Sequence, residues 1–369
     1  MRYLLLSVVL SLLLSASVVT EKYPSYNYVL SEFDIDTSYA YDERFTTYVK
    51  RHAPQMQRFY RHVVTREKWL VTMVRGALLE EDMSDLFLYL SMVESGLRTE
   101  AVSSKKAVGL WQFMPKTARS YNLQVCNSVD ERCDPVTATR AAIRHLRSLH
   151  KKFGKWYLAV LAYNCGEGRL SRAIGYAGTD TLTVLLDDDA KYLPKETRTY
   201  LKKILLVAMI GESEVIRTDT LNTGNDMVQV EVSGGTDLHE IANLIGMDAR
   251  SLLRMNPAYQ HGMIPTRKPL YRIMIPEAYM VAFYIKYQPE EEKPLPHEYL
   301  LSHQVMLGET LDMIAAKYHT QIDEIKAANG LKGEMIEVGA PLVIPVSETL
   351  FYRFMDTEES ERSSRDKVK

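Results

Sequence analysis

Residues 84–97 read SDLFLYLSMVESGL, and residues 156–168 read WYLAVLAYNCGEG. In each, a run of residues is apolar on almost every side of a helix, Leu86 to Val93 in the first and Trp156 to Ala162 in the second. A helix without a polar face has to be buried. Each run then ends in polar groups beside glycine: Glu94 and Ser95 before Gly96, Tyr163 and Asn164 before Gly166 and Gly168. Gly96 is placed to take the left-handed conformation that stops a helix. The pair therefore predicts a mainly α core in which two buried helices carry functional groups at their ends.

Working outward, TARSYNL (117–123) and TATRAAIRHLRSLHKKF (137–153) have helical periodicity, and helix is expected to about Glu212. On the N-terminal side, RFTTYVKRHAPQMQRFYRHVV and EKWLVTMVRGALL predict a helical extension over 25–80, with Pro54 starting or kinking a helix. Beyond Gly211 the texture changes. MVQVEV alternates like a strand, DLHEIANLIG and SLLRMN read as helices, and YRIMIP closes as a strand; the same order recurs between His303 and Pro345. Two small β-α-α-β modules are expected, over 226–278 and 299–346. The proline- and charge-rich 288–298 reads as a linker, 81–215 as the catalytic domain and 356–369 as a disordered tail.

A formal net charge of -2 gives no basic field for nucleic acid. Arg2, the apolar run Tyr3–Leu14 and the small residues Ser15 to Ser17 read as an export signal over 1–20, with an uncleaved anchor as the alternative. Export permits disulfides, and Cys126 and Cys133 in VCNSVDERC are close enough to pair. With neither C-x-x-C nor a Cys/His cluster, Cys165 reads as a small buried residue, and no metal site or cofactor is expected.

Glu94 is the natural centre of any chemistry. A carboxyl at the end of an apolar helix is partly desolvated, which raises its pKa and suits it to general acid work. A solvated cap glutamate would look the same in sequence. GLWQ (109–112) adds a glycine that lets backbone approach a ligand and the amide of Gln112; AYN (162–164) adds a phenol and an amide. Amides, hydroxyls and aromatic faces suit a sugar.

In order, ES at Glu94 and Ser95, GLWQ, AYN and ETRTYLKK (196–203) resemble the successive motifs of family 1 lytic transglycosylases. GLWQFMPKTARSYNL, DERCDPVTATRAAIRHL and FGKWYLAVLAYNCGEGRL are most similar to the membrane-bound lytic murein transglycosylase D family, and the similarity runs from about Tyr28 to Val346. The resemblance implies a lysozyme-like helical domain with Glu94 as catalytic acid and base. It implies that Ser95 orients the glutamate or substrate, that Gln112, Tyr163 and Asn164 hold the sugar, and that Tyr200 lines the cleft. The expected substrate is the peptidoglycan glycan strand, in the periplasm or envelope. Peripheral membrane or wall association is expected as well. The chain departs from the family pattern at Cys133, where an arginine is common, and in having no N-terminal cysteine for lipid attachment.

The second module resembles a lysin motif (LysM), which implies that Gly308, Glu309, Thr310, Asn329, Gly330 and Leu331 contact N-acetylglucosamine-containing glycan. The first module is more divergent, and a structural wedge is an alternative to sugar binding there. Two rivals stay open: a goose-type lysozyme-like hydrolase that uses water, with Glu167 as the obvious second carboxylate, and a glycan-binding scaffold without catalysis.

Overall fold

The computed structural model describes residues 17–214, 227–266, 268–287, 299–331, 333–347 and 350–351. The expected linker at 288–298, the tail at 356–369 and the first sixteen residues lie outside these. The described part opens inside the segment read as an export signal. Ser17 and Thr20 form a reciprocal capping box on α1 (Val18–Lys22), and Val19 is fully buried.

The helical body contains α2 (Tyr26–Glu32), α3 (Glu43–Arg66), α4 (Lys68–Glu80), α5 (Leu88–Ser95) and α6 (Pro115–Ser120), then α7 (Pro135–Phe153), α8 (Trp156–Cys165), α9 (Glu167–Ala177), α10 (Leu182–Leu185) and α11 (Lys195–Ser213). The apolar runs 86–93 and 156–162 are its centre. Every residue from Tyr157 to Ala162 and from Leu86 to Met92 is buried, against α7 and α11 for the first and α11 and α4 for the second. Gly96 is left-handed, at φ 64°. Trp111 is fully buried and its indole N–H donates to Thr139 Oγ1 at 2.9 Å, satisfying the one polar atom a core tryptophan carries.

The N-terminal extension is part of this body, since one continuous hydrophobic core runs from Val19 to Ile210. Pro54 neither starts nor breaks a helix: α3 is continuous through it, with Asp42 capping its start by accepting from Phe45 N at 2.8 Å. Among partly buried charges, Arg75 joins Asp85 at 3.2 Å and Glu212 at 2.8 Å, while the Tyr89 hydroxyl donates to Glu212.

The first small module pairs β1 (Met227–Ser233) antiparallel with β2 (Leu270–Pro276), Val230 opposite Ile273, and packs α12 (Leu238–Ile245) and α13 (Ala249–Met255) on one face. A third helix, α14 (Met280–Lys286), follows β2 and buries Phe283 in the same core. The second module, described by itself, pairs β3 (Tyr299–Gln304) with β4 (Pro341–Val346) and carries α15 (Leu311–Lys317) and α16 (Ile322–Asn329). Its core is Val305, Leu311, Ile314, Ile325 and Ile344 with their neighbours.

The expected Cys126–Cys133 disulfide is not formed. Cys126 Sγ lies 3.4 Å from Ser128 Oγ, whereas Cys133 is turned inward against Val108 and Ala258. Burial pushes its thiol up to about 12. Two cysteines of one short loop thus occupy different environments.

Candidate active site

Glu94 stands on the last turn of α5, half-buried, and the Tyr200 hydroxyl of α11 donates to its Oε1. Desolvation raises the carboxyl to about 7, opposed by the Tyr200 hydrogen bond and the positive charge of Lys203 and reinforced by the negative charge of Glu196. A carboxyl so poised is protonated enough to donate and weak enough to take a proton back.

Two other carboxylates, Glu167 and Glu196, have lysine neighbours. Glu167 opens α9 and pairs with Lys152 at 2.5 Å. Glu196, in the first turn of α11, is largely exposed and pairs with Lys105 at 3.8 Å.

GLWQ folds as a tight turn. Gln112 adopts φ 49°, a left-handed conformation rare for a residue with a Cβ, and its Nε2 donates to the carbonyls of Ala101 (3.0 Å) and Gly109 (2.9 Å). Its amide nitrogen is therefore spent on shaping the turn, which leaves Oε1 as the group it can offer a ligand. Gly109 is required where it stands: a Cβ there would lie 1.8 Å from the Arg132 carbonyl oxygen. At the end of α8, the Tyr163 hydroxyl donates to the Trp111 carbonyl at 2.7 Å, and Asn164 Oδ1 accepts from Thr197 Oγ1 at 2.8 Å, keeping its N–H groups available.

Ser95 has a different place from the one its position beside Glu94 suggests. It is buried, and its hydroxyl donates to the Leu110 carbonyl at 2.9 Å, where Ser91 also donates at 3.0 Å. The two serines, four residues apart on one helix face, fasten α5 to the Gln112 turn.

Several groups at the site were not singled out from sequence. Lys203 lies one helical turn beyond Tyr200, and that spacing is a signal that could have found it; its ammonium rests 5.3 Å from the Phe59 ring centroid. Arg66, also on α3, donates to the Gly96 carbonyl at 2.5 Å, holding the end of the Glu94 helix. His145 packs behind Tyr163 at 5.2 Å between ring centroids and bonds the Tyr121 hydroxyl at 3.0 Å; burial lowers its imidazole to about 4, so it is neutral. Two surface hollows of about 670 and 560 Å³, lined in part by Asp42, Arg44 and Asp187 and by Tyr39, Lys155 and Tyr157, contain none of the candidate residues.

In the second module, the six expected contact positions mostly build the fold. Thr310 caps α15, and Glu309 Oε2 accepts from Met306 N at 2.8 Å and meets His303 Nε2 at 2.7 Å. The Asn329 amide bridges Ile325 O, Val343 O and Val343 N at 2.7–2.8 Å. Gly308 and Gly330 take φ 90° and 63°, and Leu331 packs on the core. The turns expose the apolar Met306, Leu307, Met335 and Val338 beside the polar Thr310, Glu334 and Glu337. The apolar side chains can meet the apolar face of a sugar ring.

Residues 75–183 match the family Transglycosylase SLT domain, 226–291 match Lytic transglycosylase MltD, LysM-like domain, and 303–345 match LysM domain. The chain is 27% identical over 304 residues to membrane-bound lytic murein transglycosylase D of Escherichia coli K12, covering 77% of this chain and 65% of that protein. It is 44% identical over 84 residues to a putative tributyltin chloride resistance protein of an Alteromonas species, covering 22% of this chain and 41% of the relative. Among solved structures, an inactive mutant of lytic transglycosylase Slt from Pseudomonas aeruginosa aligns with a TM-score of 0.31 at 23% identity, over 37% of this chain and 23% of that one. The 70 kDa soluble lytic transglycosylase of Escherichia coli aligns at 0.33 and 17%, over 53% and 30%.

Proposed function

We propose that this chain, which carries an SLT domain followed by an MltD-type LysM-like domain and a LysM domain and is homologous to membrane-bound lytic murein transglycosylase D, is itself a lytic transglycosylase acting on peptidoglycan. The chain spans 65% of the length of that relative, so activity and substrate are read from the site. The observation that carries the reading is Glu94, raised to about 7 by burial and hydrogen-bonded by Tyr200.

In this reading Glu94 donates its proton to the glycosidic oxygen between N-acetylmuramic acid and N-acetylglucosamine as the bond from that oxygen to the muramic C1 breaks. The carboxylate left behind takes the proton from the C6 hydroxyl of the same muramic residue as O6 bonds to C1. The products are a 1,6-anhydromuramoyl end and a free N-acetylglucosamine 4-hydroxyl, with Glu94 protonated again and no water consumed. Hydrolases of the usual kind need a second carboxylate as nucleophile or as base for water. An internal nucleophile removes that need. Tyr200 orients the acid and supports its anionic form between the two steps, while Gln112 Oε1 and Asn164 Nδ2 are free to hold acetamido groups.

We place the protein in the cell envelope, exported by its N-terminal segment, with the second module holding it near glycan and so raising the local concentration of strands. Peripheral association with membrane or wall belongs to the same proposal. Among the described residues no helix is long and apolar enough to cross a membrane. Digesting purified peptidoglycan and weighing the fragments tests the reaction: anhydro ends support it, reducing ends contradict it.

A further inference from the structure

The loop that joins α6 to α7 is held from both sides. On its outer side the first small module docks on it: Asp130 N donates to Ala258 O at 2.9 Å, Gln260 N donates to Ser128 O at 3.1 Å, and Val129 bridges Tyr259 antiparallel. Ala258, Val108 and Cys133 form a small apolar cluster at this junction, with Ala258 only 2% exposed. On its inner side Arg132, itself buried, is clamped by Asp130 at 2.8 and 2.7 Å and donates to the carbonyls of Phe113 (3.1 Å) and Lys106 (3.2 Å). Those carbonyls flank the turn that carries Gln112.

The two small modules allow an internal comparison. Asn256 in the first makes the bracket that Asn329 makes in the second, donating to Leu252 O and Met274 O and accepting from Met274 N. The loops after these asparagines therefore correspond. In the second module that loop is open, with Met335 91% exposed; in the first it is the surface pressed on the catalytic body.

We infer that the first module is a fixed part of the catalytic unit: its Ala258–Gln260 loop buttresses residues 126–133 and, through Arg132, holds the Gln112 turn in its strained conformation. That loop is closed to glycan, and glycan capture falls to the second module. Ala258 and Arg132 are positioning residues for Gln112; their consequence for catalysis rests on the function proposed above, while the docking itself does not.

The test uses the full chain carrying Ala258→Asp, which buries an unpaired carboxylate in the junction, and Gln260→Pro, which deletes one donor across it. The second change suits the local backbone, because Gln260 opens a 3-10 turn after the extended Tyr259, where proline is tolerated. Hydrogen exchange read by mass spectrometry is expected to rise in peptides covering 124–133 and 108–113 in both variants. Peptides from Leu238–Ile245 should be unchanged in Gln260→Pro, showing the module still folded. In wall digestion kcat is expected to fall roughly ten- to a hundredfold, as for a misplaced binding group, with sedimentation on peptidoglycan unaltered. Unchanged exchange in 124–133 in both variants would overturn the buttress. Lost sedimentation with unchanged kcat would overturn the closed loop and make the first module a glycan binder. If neither wild type nor variant digests wall, the proposed reaction fails while the exchange data still decide the docking.

Discussion

Replacing Glu94 by glutamine is expected to abolish wall digestion and, at the same time, to stabilise the fold in a pH-dependent way. The native carboxyl is raised from 4.5 to about 7. Below 4.5 both folded and unfolded chains hold the proton, and a neutral glutamine gains nothing over glutamic acid. Between 4.5 and about 7 the unfolded chain has released the proton and the native chain has not, so wild-type stability falls as pH rises. Above that window the native state carries a poorly solvated carboxylate, at a cost of about 3 kcal/mol. Glutamine removes that cost and keeps a partner for Tyr200. Urea unfolding of wild type and Glu94→Gln is the assay, followed at about pH 4 and about pH 9 by fluorescence of the core tryptophan. The difference should be near zero in acid and about 3 kcal/mol in favour of the variant in alkali. Equal stability at both pH values, or a variant favoured only in acid, would refute the desolvation argument.

The same environment fixes other expectations. Tyr200→Phe removes a hydrogen bond that lowers the Glu94 pKa, so the alkaline limb of the rate profile should move to higher pH as kcat falls, a shift that a purely structural lesion would not produce. Ser95→Ala should cost about 1 kcal/mol of stability and leave KM for wall fragments unchanged, because its hydroxyl serves the Leu110 carbonyl; a raised KM would return Ser95 to the substrate. Asn329→Ala strips the amide that bridges α16 to β4, and the stability of the second module should drop by about 1–3 kcal/mol in thermal unfolding while kcat at Glu94 on soluble wall fragments is untouched.

The helices whose apolar residues cover every side, α5 and α8, were legible because nothing but a protein interior accommodates them, and Gly96 and Gly166 mark their ends in sequence. Glu94 and Tyr163 came forward as the polar ends of these helices, whereas Tyr200 came forward only through the resemblance carried by the order of motifs. Ser95 misled because adjacency in sequence is not adjacency on a helix: successive side chains point about 100° apart, so Ser95 faces the core while Glu94 does not. Phe59 and Arg66 lie far from Glu94 along the chain and carry no local signal of where α3 ends. The helix α14 follows a strand that already seemed to close its module, although Phe283 completes that core. The cysteines of 126–133 suggested a covalent loop, whereas their surroundings depend on a module more than a hundred residues away.

The central claim is that one carboxyl, Glu94, cleaves glycan by an internal displacement. The most direct test is mass spectrometry of the soluble fragments that the protein releases from purified peptidoglycan, beside Glu94→Gln. The account expects fragments lighter by one water than hydrolysis products, absent with the variant. Reducing-end fragments, or fragments that persist with Glu94→Gln, would contradict it.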